Sequence, residues 1–356
     1  MSLDNFYMLR CVQLAKNGFG TTYPNPLVGS VIVYQNQIIG EGWHQKSGFP
    51  HAEVNAINSV IDKSLLTKAT LYVNLEPCCH FGKTPPCADL IVSYKIPRVV
   101  IGTTDPNEKV AGKGIEKLIE SGCNVIVGVE TEACYELNKR FFLFHNQKRP
   151  YIILKWAETS DGFIAPIKES SNSAKQPKPY WITNTYSRQL VHKWRTEEQA
   201  ILIGTQTALD DNPVLNARDF YGNHPVRIVL DKSGRIKNHF HIKDNTIKTI
   251  IITETDAFKS TTNCIYEFAV FNENLIDQIL TILLKHNIQS VIIEGGAQTI
   301  QTFIDTNVWD EARIFVNEVE FKSGTKAPTI KGKIISKTTI LNDTLTIKNY
   351  DKSNNF

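Results

Sequence analysis

The chain lacks any uninterrupted apolar run of about 18 residues, the length a membrane-spanning helix needs. Its first residues, Met1-Ser2-Leu3-Asp4-Asn5-Phe6, also lack the basic and then apolar order of an export signal. A cytoplasmic protein with no membrane partner is therefore expected. Excess charge is missing too, since 39 basic and 36 acidic residues leave a formal charge of +3. That balance offers no global attraction for nucleic acid, so any affinity for anions must come from local sites. Cysteines are few and odd in number, seven in all, which excludes a disulfide framework in a long chain without an export signal. Cys11, Cys123, Cys134 and Cys264 each sit beside apolar neighbours and read as buried thiols.

What is present is an ordinary globular composition, 42% hydrophobic and 21% charged. At 356 residues the chain exceeds one typical hydrophobic core, so two domains are expected. The segment from Phe141 to Pro150 turns polar and basic and marks the boundary, giving domains 1–146 and 150–356.

In the first domain, residues 4–17 have helical apolar spacing. Pro24-Asn25-Pro26-Leu27-Val28-Gly29 is a stiffened loop that feeds a hairpin, Ser30 to Tyr34 and Ile38 to Gly42, turning at Gln35-Asn36-Gln37. A helix from Ala52 to Ile61 follows His51, and residues 69–75 read as a buried strand ending at Glu76-Pro77-Cys78. Pro85-Pro86-Cys87 opens the next helix, where free amides and the helix dipole favour a thiolate. A strand at Arg98, a helix from Ile115, a strand from Val125 and a helix from Glu130 to Arg140 continue the alternation. The order implies a three-layer α/β/α sandwich.

His51, Cys78 and Cys87 therefore fall at the ends of elements, where a scaffold can hold metal ligands. Two thiolates and an imidazole suit zinc, and three protein ligands leave a fourth position for water. Glu53, in the first helical turn after His51, is placed to serve as the acid/base carboxylate. Cys79 and His80 lie in the same loop and compete as ligands; either would close the site and make the metal a structural staple.

These segments resemble the bifunctional deaminase/reductase family of riboflavin biosynthesis, within the cytidine-deaminase-like superfamily. Its nucleic-acid-editing members generally have two residues between the two cysteines. Here eight intervene, including Gly82-Lys83-Thr84, a feature that in the resembled family accompanies a phosphorylated pyrimidine nucleotide. The resemblance implies zinc on His51, Cys78 and Cys87, Glu53 as proton shuttle, and Asn25, His44, Lys83 and Asp105 as substrate contacts. Without it, Lys83 reads as a solvated loop lysine and Asp105 as a turn former before Pro106.

The second half repeats strand and helix signals: strands at Tyr151, Ala200, Arg227, Thr249 and Ser290, and helices after Thr183 or Asn184, from Leu275 and from Ala297. Glu294-Gly295-Gly296 ends a strand before a helix, which suits a dinucleotide phosphate, although a tight packing turn gives the same pattern. Together with Lys155, Trp181-Ile182-Thr183 and Thr207 through Pro213, it resembles the dihydrofolate-reductase-like α/β domain of the same family. The resemblance implies NADPH near Trp181, Thr207, Asp211, Gly295 and Gly296, and a phosphoribosyl substrate near Lys155, Arg195, Leu215, Arg218 and Glu294. It further implies deamination of a small phosphorylated diaminopyrimidinone, then reduction of its ribose, by a homo-oligomer that binds no nucleic acid. Departures from the family pattern are Pro179 in place of a serine, a longer loop over residues 166–179, Glu158 in place of a small residue, and Ser323-Gly324 in place of two glycines. They leave open a chain in which only the deaminase half works. The tail from Lys331 alternates apolar and polar residues and reads as edge strands with a frayed end.

Overall fold

The computed structural model describes residues 2–79, 85–106, 111–167 and 180–351. The chain divides into two compact units, Met1–Lys148 and Arg149–Phe356.

The first unit opens with α1 (Leu3–Ala15), capped by Ser2, whose hydroxyl accepts from the Asn5 amide. The hairpin of β1 (Gly29–Tyr34) and β2 (Gln37–Trp43) turns at Gln35 and Asn36, both at positive φ, the geometry that matches strand twist in a two-residue turn. Then come α2 (Ala52–Ser59), β3 (Thr70–Val73), α3 (Cys87–Ser93), β4 (Arg98–Ile101), α4 (Lys113–Glu120), β5 (Asn124–Val127), α5 (Thr131–Leu137) and α6 (Lys139–Gln147). The sheet order is β2-β1-β3-β4-β5, with β1 antiparallel to both neighbours and β3, β4 and β5 parallel. One face buries Ile57 of α2, Ile91 of α3 and Leu118 of α4; the other buries Met8 and Cys11 of α1 and Leu137 of α5. Helices thus cover both faces of one sheet, the three-layer sandwich that the alternation implied.

The helix expected over Glu130 to Arg140 is two helices. Glu130 is left-handed, and the chain breaks at Asn138, whose side chain is taken up by Leu27. The boundary segment is helical through Gln147, because Phe141 and Phe142 pack on Leu75.

The second unit comprises β6 (Tyr151–Thr159), β7 (Phe163–Pro166), α7 (Thr185–Glu197), β8 (Ala200–Gly204), α8 (Thr205–Asp211), β9 (Val226–Leu230), β10 (Thr249–Thr253), β11 (Cys264–Phe268), α9 (Leu275–Lys285), β12 (Ser290–Glu294), α10 (Ala297–Asp305), β13 (Glu311–Asn317), β14 (Gly324–Lys326), β15 (Lys333–Ile340) and β16 (Asp343–Asn349). Its main sheet runs β11-β10-β9-β8-β12-β6-β13-β16-β15, parallel except for the pairings of β16. Such parallel strands read as continuous apolar runs because both of their faces are covered; β8 and β10 are buried at every position. Of the tail, β15 is an edge but β16 lies inside the sheet, between β13 and β15. The short pair β7 and β14 needs Gly324, since a Cβ there would meet the Ala165 carbonyl oxygen at 2.2 Å. The glycine that sterics demand is therefore kept where Ser323 departs from the family pattern.

Candidate functional site

In the first unit, the Pro-stiffened loop is fixed by two buried amides. Asn138 accepts from the Leu27 N–H at 2.8 Å and donates to the Leu27 carbonyl at 2.8 Å. Asn74 accepts from Gly29 N–H at 2.7 Å and donates to the same Leu27 carbonyl at 3.0 Å. Buried backbone groups need partners, and here side chains supply them, so the loop can hold Asn25 without being part of a sheet. Neither amide was read from the sequence as functional. The available signal was Asn74, a polar residue between Val73 and Leu75 in an apolar strand.

Asn25 Nδ2 lies 3.0 Å from His44 Nε2, and His44 Nδ1 lies 3.2 Å from the Pro50 carbonyl oxygen. The carbonyl can only accept, which assigns the proton to Nδ1 and leaves Nε2 to accept from Asn25. Burial lowers the His44 pKa, in keeping with this neutral ring. The His44 and His51 rings meet edge to face at 5.4 Å.

His51 is the N-cap residue of α2, yet its side chain makes no capping bond. Instead Nδ1 stands 3.5 Å from Cys78 Sγ and 3.3 Å from Cys87 Sγ. The Cys87 N–H, at the start of α3, points at Cys78 Sγ from 3.4 Å. The three donor atoms lie within 4.8 Å of one another. Two sulfurs and one imidazole nitrogen at this spacing fit a zinc ion with one coordination position left over. Cys87 and then His51 pull the Cys78 thiol down, while Cys78 and burial push Cys87 well up. Glu53 is 3% exposed, and burial raises its carboxyl to about 7.

Cys79 is half-buried and stands outside the cluster, and His80 and Lys83 lie outside the described residues. Replacing Cys79 with alanine should leave zinc content and ammonia release near wild type, whereas C78A or C87A should lose the metal. Elemental analysis of the purified variants checks this, and loss of zinc from C79A would make Cys79 a ligand. Of the four thiols expected to be buried, Cys123 is only half-buried and donates to the Ile96 carbonyl.

In the second unit, β6 and β12 pair so that Lys155 and Glu294 face one another. Lys155 Nζ is 2.6 Å from Glu294 Oε1, and Arg195 Nη2, from α7, is 2.8 Å from Oε2. Burial alone would raise the Glu294 carboxyl; Arg195 and Lys155 outweigh it and hold the group at about 2. Arg195 Nη1 also donates to the Asn216 carbonyl, and Arg218 Nη1 to the Asn216 side-chain oxygen, so the loop that carries buried Leu215 converges on the same cations. His192, one helical turn before Arg195, lies 3.1 Å from Asp219 and was not singled out in the sequence. Burial, then Arg195 and Arg218, lower its pKa to about 4.

Gly295 and Gly296 follow β12 at positive φ, directly against Thr207 of α8. A Cβ on Gly295 would come 2.7 Å from Thr207 Cγ2. Bare backbone at the carboxyl ends of adjacent parallel strands β8 and β12, before the start of α10, fits a dinucleotide phosphate. Asp211 ends α8. Trp181 is exposed and carries the Arg188 guanidinium 5.3 Å over its ring. The Glu158 carboxylate accepts from the Trp156 indole at 2.7 Å. Pro179 lies outside the described residues.

Fold and clusters together define a two-unit enzyme, a zinc-type deaminase followed by a nucleotide-dependent reductase. Residues 1–103 match the cytidine and deoxycytidylate deaminase zinc-binding region, and residues 150–328 match the RibD C-terminal domain. Riboflavin biosynthesis protein RibD of Aquifex aeolicus is 39% identical, with 94% of this chain and 89% of the relative covered. That of Escherichia coli is 32% identical, with 88% and 87% covered. The crystal structure of a diaminohydroxyphosphoribosylaminopyrimidine deaminase/5-amino-6-(5-phosphoribosylamino)uracil reductase from Thermotoga maritima superposes with a TM-score of 0.87, at 35% identity, covering 98% of this chain and 99% of that one. The chain belongs to the RibD family, the bifunctional deaminase and reductase of riboflavin biosynthesis. Its cofactors are zinc in the first unit and NADPH in the second. No helix among the described residues is long and apolar enough to cross a membrane.

Proposed function

We propose that the first unit deaminates a 2,5-diamino-6-(phosphoribosylamino)pyrimidinone and that the second reduces the ribose of the resulting aminouracil to a ribityl chain. The observation that carries this reading is the pairing, in one chain, of the His51, Cys78 and Cys87 cluster beside buried Glu53 with the Glu294 ion triad beside the Gly295-Gly296 turn. Zinc, when bound, supplies activation of water for hydrolysis. Glu53 takes the proton of the attacking water and delivers it to the departing amine as the ring C–O bond forms and the C–N bond breaks. Asn25, held through His44, offers its amide to the pyrimidine edge, and Asp105 accepts from a sugar hydroxyl.

NADPH, when bound, supplies the reducing electrons. Arg195 and Arg218 present planar guanidinium groups to the substrate phosphate. Glu294 aims Arg195 and sets Lys155 toward the reacting sugar. Bare backbone at Gly295 receives the cofactor phosphates. Gly295→Ala puts a side chain at φ +79 and against Thr207, so the turn must shift away from the cofactor phosphates and NADPH affinity should fall about tenfold, a loss of roughly 1.4 kcal/mol of binding. Fluorescence titration of NADPH onto the intact protein measures it, and unchanged affinity would remove Gly295 from the site.

The near-neutral charge supports small phosphorylated substrates over nucleic acid. The cytoplasm and a homo-oligomeric state belong to the same reading; the latter is checked by sedimentation. Mass spectrometry of the product from the diaminopyrimidinone ribotide decides the main claim. Without NADPH the product should be deaminated only, and with it both deaminated and reduced.

A further inference from the structure

Glu76 lies in the loop between β3 and Cys78, and the residue is 4% exposed. Among the described residues, every hydrogen-bond partner of its carboxylate is a backbone N–H. Oε2 accepts from Asp105 at 3.2 Å and from Gly112 at 3.0 Å; Oε1 accepts from Gly114 at 2.9 Å and from Ile115 at 3.3 Å. The Glu76 N–H in turn donates to the Thr103 carbonyl at 3.0 Å. Gly114 approaches so closely that a Cβ there would lie 2.1 Å from the Pro77 carbonyl oxygen.

The first N–H groups of a helix have no intrahelical partner, and α4 receives no side chain from its own N-cap, Gly112. Glu76 caps it from a distant strand, with its negative charge at the positive end of the helix dipole. A cap alone would need only the bonds to Gly114 and Ile115. The bond to Asp105 lies outside the helix and joins the loop after β4 to the loop after β3. We propose that Glu76 is a positioning residue for deamination: it locks Asp105 to the turn that bears Cys78, so that substrate contact and metal ligand are held as one body. This rests on the reading of Asp105 as a substrate contact.

The four N–H donors among the described residues explain a carboxylate here, because the amide of glutamine would turn its NH2 group toward two of them. The test uses E76Q, D105N and the double variant in the full chain, with zinc content and reductase activity on deaminated substrate as controls for folding. D105N should raise the deaminase KM about tenfold or more, E76Q should raise it comparably with kcat within about threefold, and the double variant should match D105N, as expected when two residues act as one unit. Additive effects, or an E76Q enzyme with a lower melting temperature and unchanged KM, would overturn the proposal. D105N with an unchanged KM would instead remove the contact reading, and the proposal with it. Should E76Q fail to retain zinc, E76D keeps both oxygens on a shorter stem; a KM between wild type and D105N supports the role, and a wild-type KM overturns it.

Discussion

Glu53→Gln should lower ammonia release by about 10²–10⁴-fold, the usual contribution of a positioned acid/base group. Glutamine keeps the size of the side chain and loses the ability to carry a proton, so the change isolates proton transfer from packing. The cost corresponds to roughly 3–5 kcal/mol of transition-state stabilisation. Zinc content should be unaffected, because the cluster that fits the metal is His51, Cys78 and Cys87. Reduction of supplied deaminated substrate should also be unaffected, since Glu53 belongs to the first unit. A glutamine variant that releases ammonia within a few-fold of wild type would exclude the assigned role.

Glu294→Gln should strongly destabilise the second unit. The carboxylate is shared by Lys155 and Arg195, both nearly buried. Removing one partner of a buried ionic group strands the others, at a cost of about 3–5 kcal/mol. The acidity of the group gives a similar figure: a carboxyl held at about 2 and not its ordinary 4.5 contributes about 3 kcal/mol at neutral pH. Its folded pKa is depressed, so the contribution is complete above the unfolded value and is lost as pH falls from 4.5 toward 2. The stability gap between wild type and E294Q should therefore be widest near neutrality and shrink across that acid window. Trp156, Trp181, Trp194 and Trp309 all lie in the second unit, against Trp43 alone in the first. Tryptophan fluorescence in urea, followed as a function of pH, reads the gap, and a gap that does not change with pH would refute the ionic account.

The zinc cluster was legible because each ligand sits where local signals are strongest. His51 follows Pro50 before a helix, Cys78 follows Pro77 after a strand, and Cys87 follows Pro85-Pro86 before another helix. The reductase ion triad was named only through resemblance to a family. Lys155, Arg195 and Glu294 are separated by 40 and 99 residues, and nothing local to any of them announces the other two. β13 escaped the sequence reading altogether. Glu311, Arg313 and Asn317 interrupt its apolar pattern, yet they are buried and paired, Arg313 with Glu311 at 2.6 Å and with Glu198 at 3.3 Å, and Asn317 with Asp343. Such polar interruptions deny β13 the continuous apolar run that marks the parallel strands beside it.

The sequence by itself determined the strand and helix alternation of the first half, the three sulfur and nitrogen donors, the carboxylate near them and the division into two halves, because each follows from short-range patterning and turn chemistry. Only the tertiary structure decided which amides pin the Asn25 loop, which tautomer His44 adopts, how Glu76 joins Asp105 to the Cys78 turn, and that one carboxylate serves two cations in the second unit. Those features are hydrogen bonds and ion pairs between residues far apart in the chain. Their partners are chosen by where strands and helices come to rest, and no local spacing encodes that choice.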